Sequence, residues 1–339
     1  MTKWIKRIVG VLLICLGGLT GILYYLFGGG APYVDLTTTP ILPEGTIEVA
    51  VTSDRPIGNA TVSADGRLFY TIHPESNPTG PKLYEWIDGT AVPYPNVEDQ
   101  KDLFETPLGV VVDAQNRLWV IDPGSHGTGT PAITAFDLAT NELIHRREFS
   151  SSIAPLGSFL QDMQVSTDGK WIYIADVGFW AKRPALVVYN TETQESWRVL
   201  NRHESVYPQN ILIQTQIRDM AFFGGLLEMK TGVDGIALSR DDEWLYFAAM
   251  NHDTLYRVAT NVLQDKLADV PEYLEIVGKK PLNDGLSIDD ENNVYITDIE
   301  HQAVVKMAPD GTLTTIVKDD RIRWADGLSF GPDGWLYLA

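Results

Sequence analysis

The chain has 339 residues, 44% of them apolar and 21% charged, enough for one large or two medium domains with a sizeable core. Its formal net charge of −19 argues against nucleic acid as a partner, because phosphate binding relies on Lys and Arg. A single cysteine, Cys15, excludes an intramolecular disulfide framework and any cysteine-based zinc cluster.

The N-terminus sets Lys3, Lys6 and Arg7 before an uncharged run from Ile8 to Phe27. As a helix, that run is long enough to cross a hydrocarbon core of roughly 30 Å. The basic flank should stay in the cytoplasm, which puts everything after Gly30 outside, in the periplasm or beyond the cell. A membrane anchor over 1–30 is therefore expected, with Tyr24 and Tyr25 at the outer interface. A signal sequence cleaved near "GGGA", giving a secreted protein, is the rival reading. Residues 31–44, rich in Pro, Thr and Gly without apolar period, read as a linker.

From there to Ala339 one phrase recurs six times: "GNATVSADGRLFYTIH" from Gly58, "LGVVVDAQNRLWVID" from Leu108, and "QDMQVSTDGKWIYIAD" from Gln161. It returns as "DGIALSRDDEWLYFAA" from Asp234, "DGLSIDDENNVYITD" from Asp284 and "DGLSFGPDGWLYLA" from Asp326. Each holds alternating apolar residues, a turn of Asp, Asn and Gly, then a second apolar strand, which is hairpin chemistry. Two more strands often follow, as in "ALVVYNTETQESWRVL". Six four-stranded units that cannot bury both faces alone predict an all-β, six-bladed β-propeller over 45–339. The last repeat stops after two strands, so an incomplete last blade and a native chain extending beyond Ala339 are expected. "GTIEVAVT" from Gly45 is the candidate to donate a closing strand. The stretch between Asn201 and Gly232 reads as a long loop or lid rather than a blade.

In a propeller, the residues that begin each inner strand ring one mouth of the central channel. Here they are Asn59, Asp162, Asp234, Asp284 and Asp326, with Gln161 and Asn283 beside them. Loops after each second strand open on the same face and carry Asp122 and His126, Asp176, Asn251 and His252, and Asp298 and His301. Oxygen and imidazole groups from five segments are thus expected to converge on one ligand-binding mouth. Hard oxygens, above all Asp162, Asp234 and Asp284, suit Ca²⁺ or another divalent cation. The histidines suit general-base work near neutrality. Taken singly, an Asp before Gly is also an ordinary turn residue or backbone cap.

The order of "LGVVVDAQNRLWVIDPG", "PAITAFDLATNELI", "GVDGIALSRDDEWLYFAAMNHDTLYRV" and "NDGLSIDDENNVYITD" resembles the royal-jelly/yellow protein family, especially its bacterial members. The resemblance covers the chain from about Asp54 onward and implies an exported six-bladed propeller. Some insect members bind biogenic amines in the channel mouth and others are linked to dopachrome conversion. More distantly, "NDGLSIDDENNVYITD" is similar to gluconolactonase and paraoxonase propellers, where Glu, Asn and Asp from several blades hold a metal. Asp284 matches such an aspartate and Asp234 falls where those families often carry Asn. Gly58–Asn59 stands where they have Glu, a departure from the metal-binding pattern.

Three functions follow as expectations. The first is a small-molecule-binding propeller for an amine or aromatic ligand, with weak isomerase activity. The second is metal-dependent lactone hydrolysis, and the third a protein-interaction platform.

Overall fold

A computed structural model describes residues 3–339. Five four-stranded antiparallel sheets follow one another along the chain. Their inner strands are Ile57–Val62, Val110–Val112, Leu160–Val165, Val233–Leu238 and Leu286–Ile288. In blades one, three and four, one local device makes the first turn. Ser63, Ser166 and Ser239 donate to the carboxylates of Asp65, Asp168 and Asp241, two residues on. Side-chain hydrogen bonds of this kind are why Ser and Asp nucleate turns. Blades two and five use Asp113 and Asp289 instead, each accepting backbone N–H groups of the turn.

The fold is an all-β propeller, and its core lies between blades. Phe69 and Leu83 of the first blade meet Val110, Leu118 and Phe136 of the second. Trp119 and Ile133 meet Met163, Ile172 and Tyr189, and Tyr173 and Val188 meet Ile236 and Phe247. Both faces of each sheet are thereby covered, which one sheet alone cannot manage.

The expectation of six four-stranded blades is corrected: five are complete. The last repeat forms only the hairpin Leu328–Phe330 and Leu336–Leu338. Its first strand stands in the gap between the inner strands of blades five and one, so the ring of inner strands is closed. "GTIEVAVT" forms no strand. Its Ile47 packs with Leu336 and Leu338, and its Val51 with Tyr337, by side chains alone. Without a ladder, the backbone groups on that edge of the hairpin lack strand partners.

Two further segments shape the mouth. Helix Lys3–Phe27 is long and apolar enough to cross a membrane and is exposed along its length, with Phe27 alone buried. Residues 201–232 form the long excursion expected, with a small hairpin of Ala221–Phe222 and Leu227–Glu228. Ile211 and Ile213 of this lid pack with Met250, Leu282 and Ile299, and Trp324 and Tyr33 lie against them. An apolar cap thus lies on the mouth side of the channel.

Candidate functional site

Neighbouring inner strands start so close together that no side chain fits between them. A Cβ on Gly235 would lie 2.6 Å from the Asp284 carbonyl oxygen, and one on Gly285 2.0 Å from that of Asp326. Gly109 stands the same way against Gln161, and Gly327 against the side chain of Asn59. None of these glycines has positive φ. The Asp-Gly pairs are therefore not turns. Glycine is there for the approach, and the Asp before it is carried to the channel axis.

Four carboxylates meet as a result: Asp162, Asp234, Asp284 and Asp326. Gln161 Nε2 lies 3.3 Å from Asp284 Oδ1 and 3.4 Å from Asp326 Oδ1, and so ties the third blade to the fifth blade and the closing hairpin. Trp324 Nε1 donates to Asp284 Oδ2 at 2.5 Å. Asp162 Oδ1 accepts from the N–H of Met163. Asp234, Asp284 and Asp326 are 2%, 5% and 7% exposed. Burial is the first cause that raises all four acids. Repulsion from neighbouring carboxylates adds to it at Asp162, Asp234 and Asp326, while hydrogen bonds from Trp324 and Gln161 oppose it at Asp284. Asp162 is pushed up to about 7 and Asp284 to about 6, while Asp234 and Asp326 stand well above the carboxylate range.

Three buried oxygens in this cluster have no hydrogen-bond partner: Asp234 Oδ2, Asn283 Oδ1 and Asp326 Oδ2. Asn283 is fully buried, and its Nδ2 donates to the Asp284 carbonyl, leaving Oδ1 free. Below the cluster a cavity of about 130 Å³ runs down the channel from Asn59 and Asp162 towards Arg240 and Phe330.

The residues expected from the second-strand loops of blades two to five make their hydrogen bonds away from this cluster. Asp122 accepts from the N–H groups of Glu105, Thr106 and Gly124. Asp176 accepts from Ser158, Phe159 and Gly178 and pairs with Arg198 at 2.6 Å. Asn251 holds Thr231, Ile211 and Met229. Asp298 accepts from Glu300, His301 and the His301 ring. Each of these side chains is already spent on hydrogen bonds, Asp298 within its own loop and the others to neighbouring segments. His252 is buried, accepts from the N–H of Thr254, and is pushed down to about 4 by burial first and Lys280 second. His126 pairs with Glu75 at 2.8 Å. Among the described residues, the one His/Asp/Glu group whose ligand atoms all lie within 4.8 Å of one another is Asp35 with Asp298 and His301, and no three carboxylates of the Asp cluster come that close together.

Two neighbours of the cluster escaped the sequence reading. His73 Nε2 lies 3.5 Å from Asp326 Oδ2, and burial lowers its pKa. It follows the second strand of the first blade, the position Asp122 and Asp176 hold in theirs, so the repeat itself could have found it. Trp324 had no such signal, since it lies outside the recurring phrase.

Residues 106–322 match the family model described as "Major royal jelly protein". The chain belongs to that family. Among its relatives, the "Protein yellow" of Drosophila subobscura is 28% identical over 207 residues, covering 55% of this chain and 35% of that protein. The Drosophila melanogaster protein is 27% identical over the same length. This royal-jelly-family chain thus spans about a third of the curated relatives it matches. Solved structures agree on the fold alone. A gluconolactonase from Xanthomonas campestris has a TM-score of 0.52 at 17% identity, covering 83% of this chain and 82% of that one. The calcium-binding protein regucalcin from Agrobacterium tumefaciens gives 0.54 at 16%, covering 83% and 81%.

Proposed function

We propose that the protein is a small-molecule-binding propeller of the yellow type, held outside the cytoplasm by its N-terminal helix, whose acidic cluster takes a divalent cation or a protonated amine. One observation carries the reading: Asp234 Oδ2, Asn283 Oδ1 and Asp326 Oδ2, on segments that start neighbouring inner strands, are all buried without a hydrogen-bond partner. A buried polar group left unsatisfied costs about 1–3 kcal/mol, and more when charged. A cation relieves both that cost and the repulsion among the acids. The donors are hard oxygens from separate segments, a set that fits Ca²⁺. Asp234, Asn283 and Asp326 would hold it, with Asp284 fixed behind them by Trp324 and Gln161. The closing hairpin fits this reading as the inner half of a sixth blade, since it delivers Asp326.

Lactone hydrolysis is the second reading, favoured by Asp162 and His73. A divalent cation bound at the cluster supplies Lewis-acid polarisation of a carbonyl. Asp162, with its pKa near 7, can hold or release a proton at neutral pH, and neutral His73 can accept one. An isomerase of the yellow type would use the same two groups for proton transfer.

Thermal melting of the detergent-solubilised chain, with and without CaCl₂ or an aromatic amine, tests the proposal. A ligand at one hundred times its Kd contributes about 2.7 kcal/mol. Asp234→Asn should melt higher than wild type without ligand, because repulsion is removed, and should lose the ligand-induced shift. Asp65→Ala, in a turn at the opposite end of the blade, should keep it. An Asp234→Asn protein that retains the full shift for both ligands sinks the reading.

A further inference from the structure

We propose that the mouth face of the propeller lies against the lipid bilayer, with exposed apolar side chains around the end of the N-terminal helix entering the interface. The inference rests on the anchor reading and goes beyond it, because a flexible tether would leave the propeller free to turn in any direction.

There is no slack in this tether. Phe27, the last residue of the helix, packs against Phe179 and Trp180 with ring centroids 5.9 and 6.4 Å apart. The Lys182 ammonium sits 4.1 Å from the centre of the Phe27 ring. The next residues are pinned to the lid. Lys230 donates to the Gly28 carbonyl, Asn210 Nδ2 to that of Gly29 at 2.7 Å, and the Gly30 N–H to Glu228 at 2.7 Å. Ala31 then pairs with Ile211. A helix of 25 residues spans about 37 Å, so a bilayer core around it ends close to this face.

The side chains there are apolar and uncovered. Leu156, Trp180, Ile217 and Phe223 are 71%, 58%, 74% and 82% exposed. They come from the loop entering the third blade, the loop after its second strand, and the lid, all on the mouth face. Isolated exposed apolar residues are ordinary, but a group gathered around a membrane-spanning helix is not. Tryptophan suits the headgroup level in particular. Arg183, Arg202 and Arg218 are exposed on the same loops. Exposed Glu204 and Asp219 lie beside two of them, so the charge on these loops is mixed and the apolar side chains carry the argument. A protein partner could also cover apolar side chains. The helix that leads straight into this face favours lipid.

Single cysteines at Phe223 and Ile217 in the full chain, with Cys15→Ser, test the proposal. Leu16→Cys reports the helix and Ala64→Cys the opposite face. Each is spin-labelled and reconstituted below one chain per vesicle of phosphatidylcholine with phosphatidylglycerol. Collision rates are then read with oxygen and with a water-soluble nickel chelate. The expected result is at least a threefold lower nickel collision rate at Phe223→Cys and Ile217→Cys than at Ala64→Cys, with Leu16→Cys in lipid. Rates at Phe223→Cys and Ile217→Cys equal to Ala64→Cys, with Leu16→Cys still in lipid, would overturn the orientation and leave the anchor standing. A Leu16→Cys label as exposed to nickel as Ala64→Cys would overturn the anchor and this surface together.

Discussion

Aspartates serve two opposite purposes in this propeller, and the environment of each decides which. Asp176 is buried but satisfied, accepting three hydrogen bonds from Ser158, Phe159 and Gly178 beside its pair with Arg198. Removing it leaves the Arg198 guanidinium buried without its charge partner, so Asp176→Ala should cost about 3–5 kcal/mol in denaturant unfolding. Ligand shifts of the surviving folded protein should not change. Asp234 and Asp326 are buried with unsatisfied oxygens, and their protonation is tied to folding. Their folded pKa values, like those of Asp162 and Asp284, lie above the ordinary unfolded value near 3.9. The stability these neutral acids contribute is full below pH ~4 and is lost as pH rises through the folded values. Ligand-free protein should therefore lose stability between about pH 4 and 7, and Ca²⁺ should flatten that slope. A ligand-free curve that rises over this window would contradict the raised values. Residue type alone could not separate the two purposes. Asp122, Asp298 and Asp284 all read as oxygen donors near a mouth, and only the backbone around each shows which oxygens are already used.

At the scale of strands, the sequence was legible where period and turn chemistry repeat. Alternating apolar residues around "SADG", "STDG" and "SRDD" located the hairpins of three blades, because Ser-to-Asp hydrogen bonds fix those turns locally. The Asp-Gly pairs allowed two readings, an inner-strand start and an ordinary turn, for a physical reason. A glycine needed for close approach looks the same in sequence as one needed for positive φ. Gly285 separates the two meanings. Its φ is ordinary, but a Cβ there would meet the Asp326 carbonyl oxygen at 2.0 Å. Gly285→Ala should thus act by overpacking, destabilising by about 3 kcal/mol as the closing hairpin is pushed away. Since that hairpin carries Asp326, the ligand shift should fall as well. Wild-type stability and binding in Gly285→Ala would mean the inner strands are less tightly apposed than described. Closure of the ring was the least legible feature. "GTIEVAVT" has the alternation of a strand, yet it contacts the hairpin by Ile47 and Val51 without a ladder. Alternation reports which side is buried, and it does not report whether a neighbouring edge is in register.

Across the whole molecule, the segment after the helix belongs to the propeller mechanically. Residues 28–31 satisfy groups that would otherwise be stranded in the lid, and Thr38 exchanges hydrogen bonds with Thr315 on the outer strand of the fifth blade. Lys230 and Glu228 are each about 6% exposed, so their hydrogen bonds to the backbone of Gly28 and Gly30 are charge-assisted and shielded from water. Such bonds contribute about 1.5–3 kcal/mol each. Two shortened chains distinguish an anchor from a structural strap. A chain beginning at Gly28 loses the spanning helix and Phe27 but keeps these bonds, and should be soluble with a cooperative melt. One beginning at Pro40 loses the strap too. Its lid should open at a free-energy cost lower by about 3 kcal/mol, so amides of residues 210–231 should exchange about 100-fold faster. Strands between blades should exchange alike in both chains, since their core is independent of the lid. Equal lid protection in the two chains would show that the lid is held by Ile211, Ile213 and Trp324 alone, and that the segment after the helix contributes nothing to it.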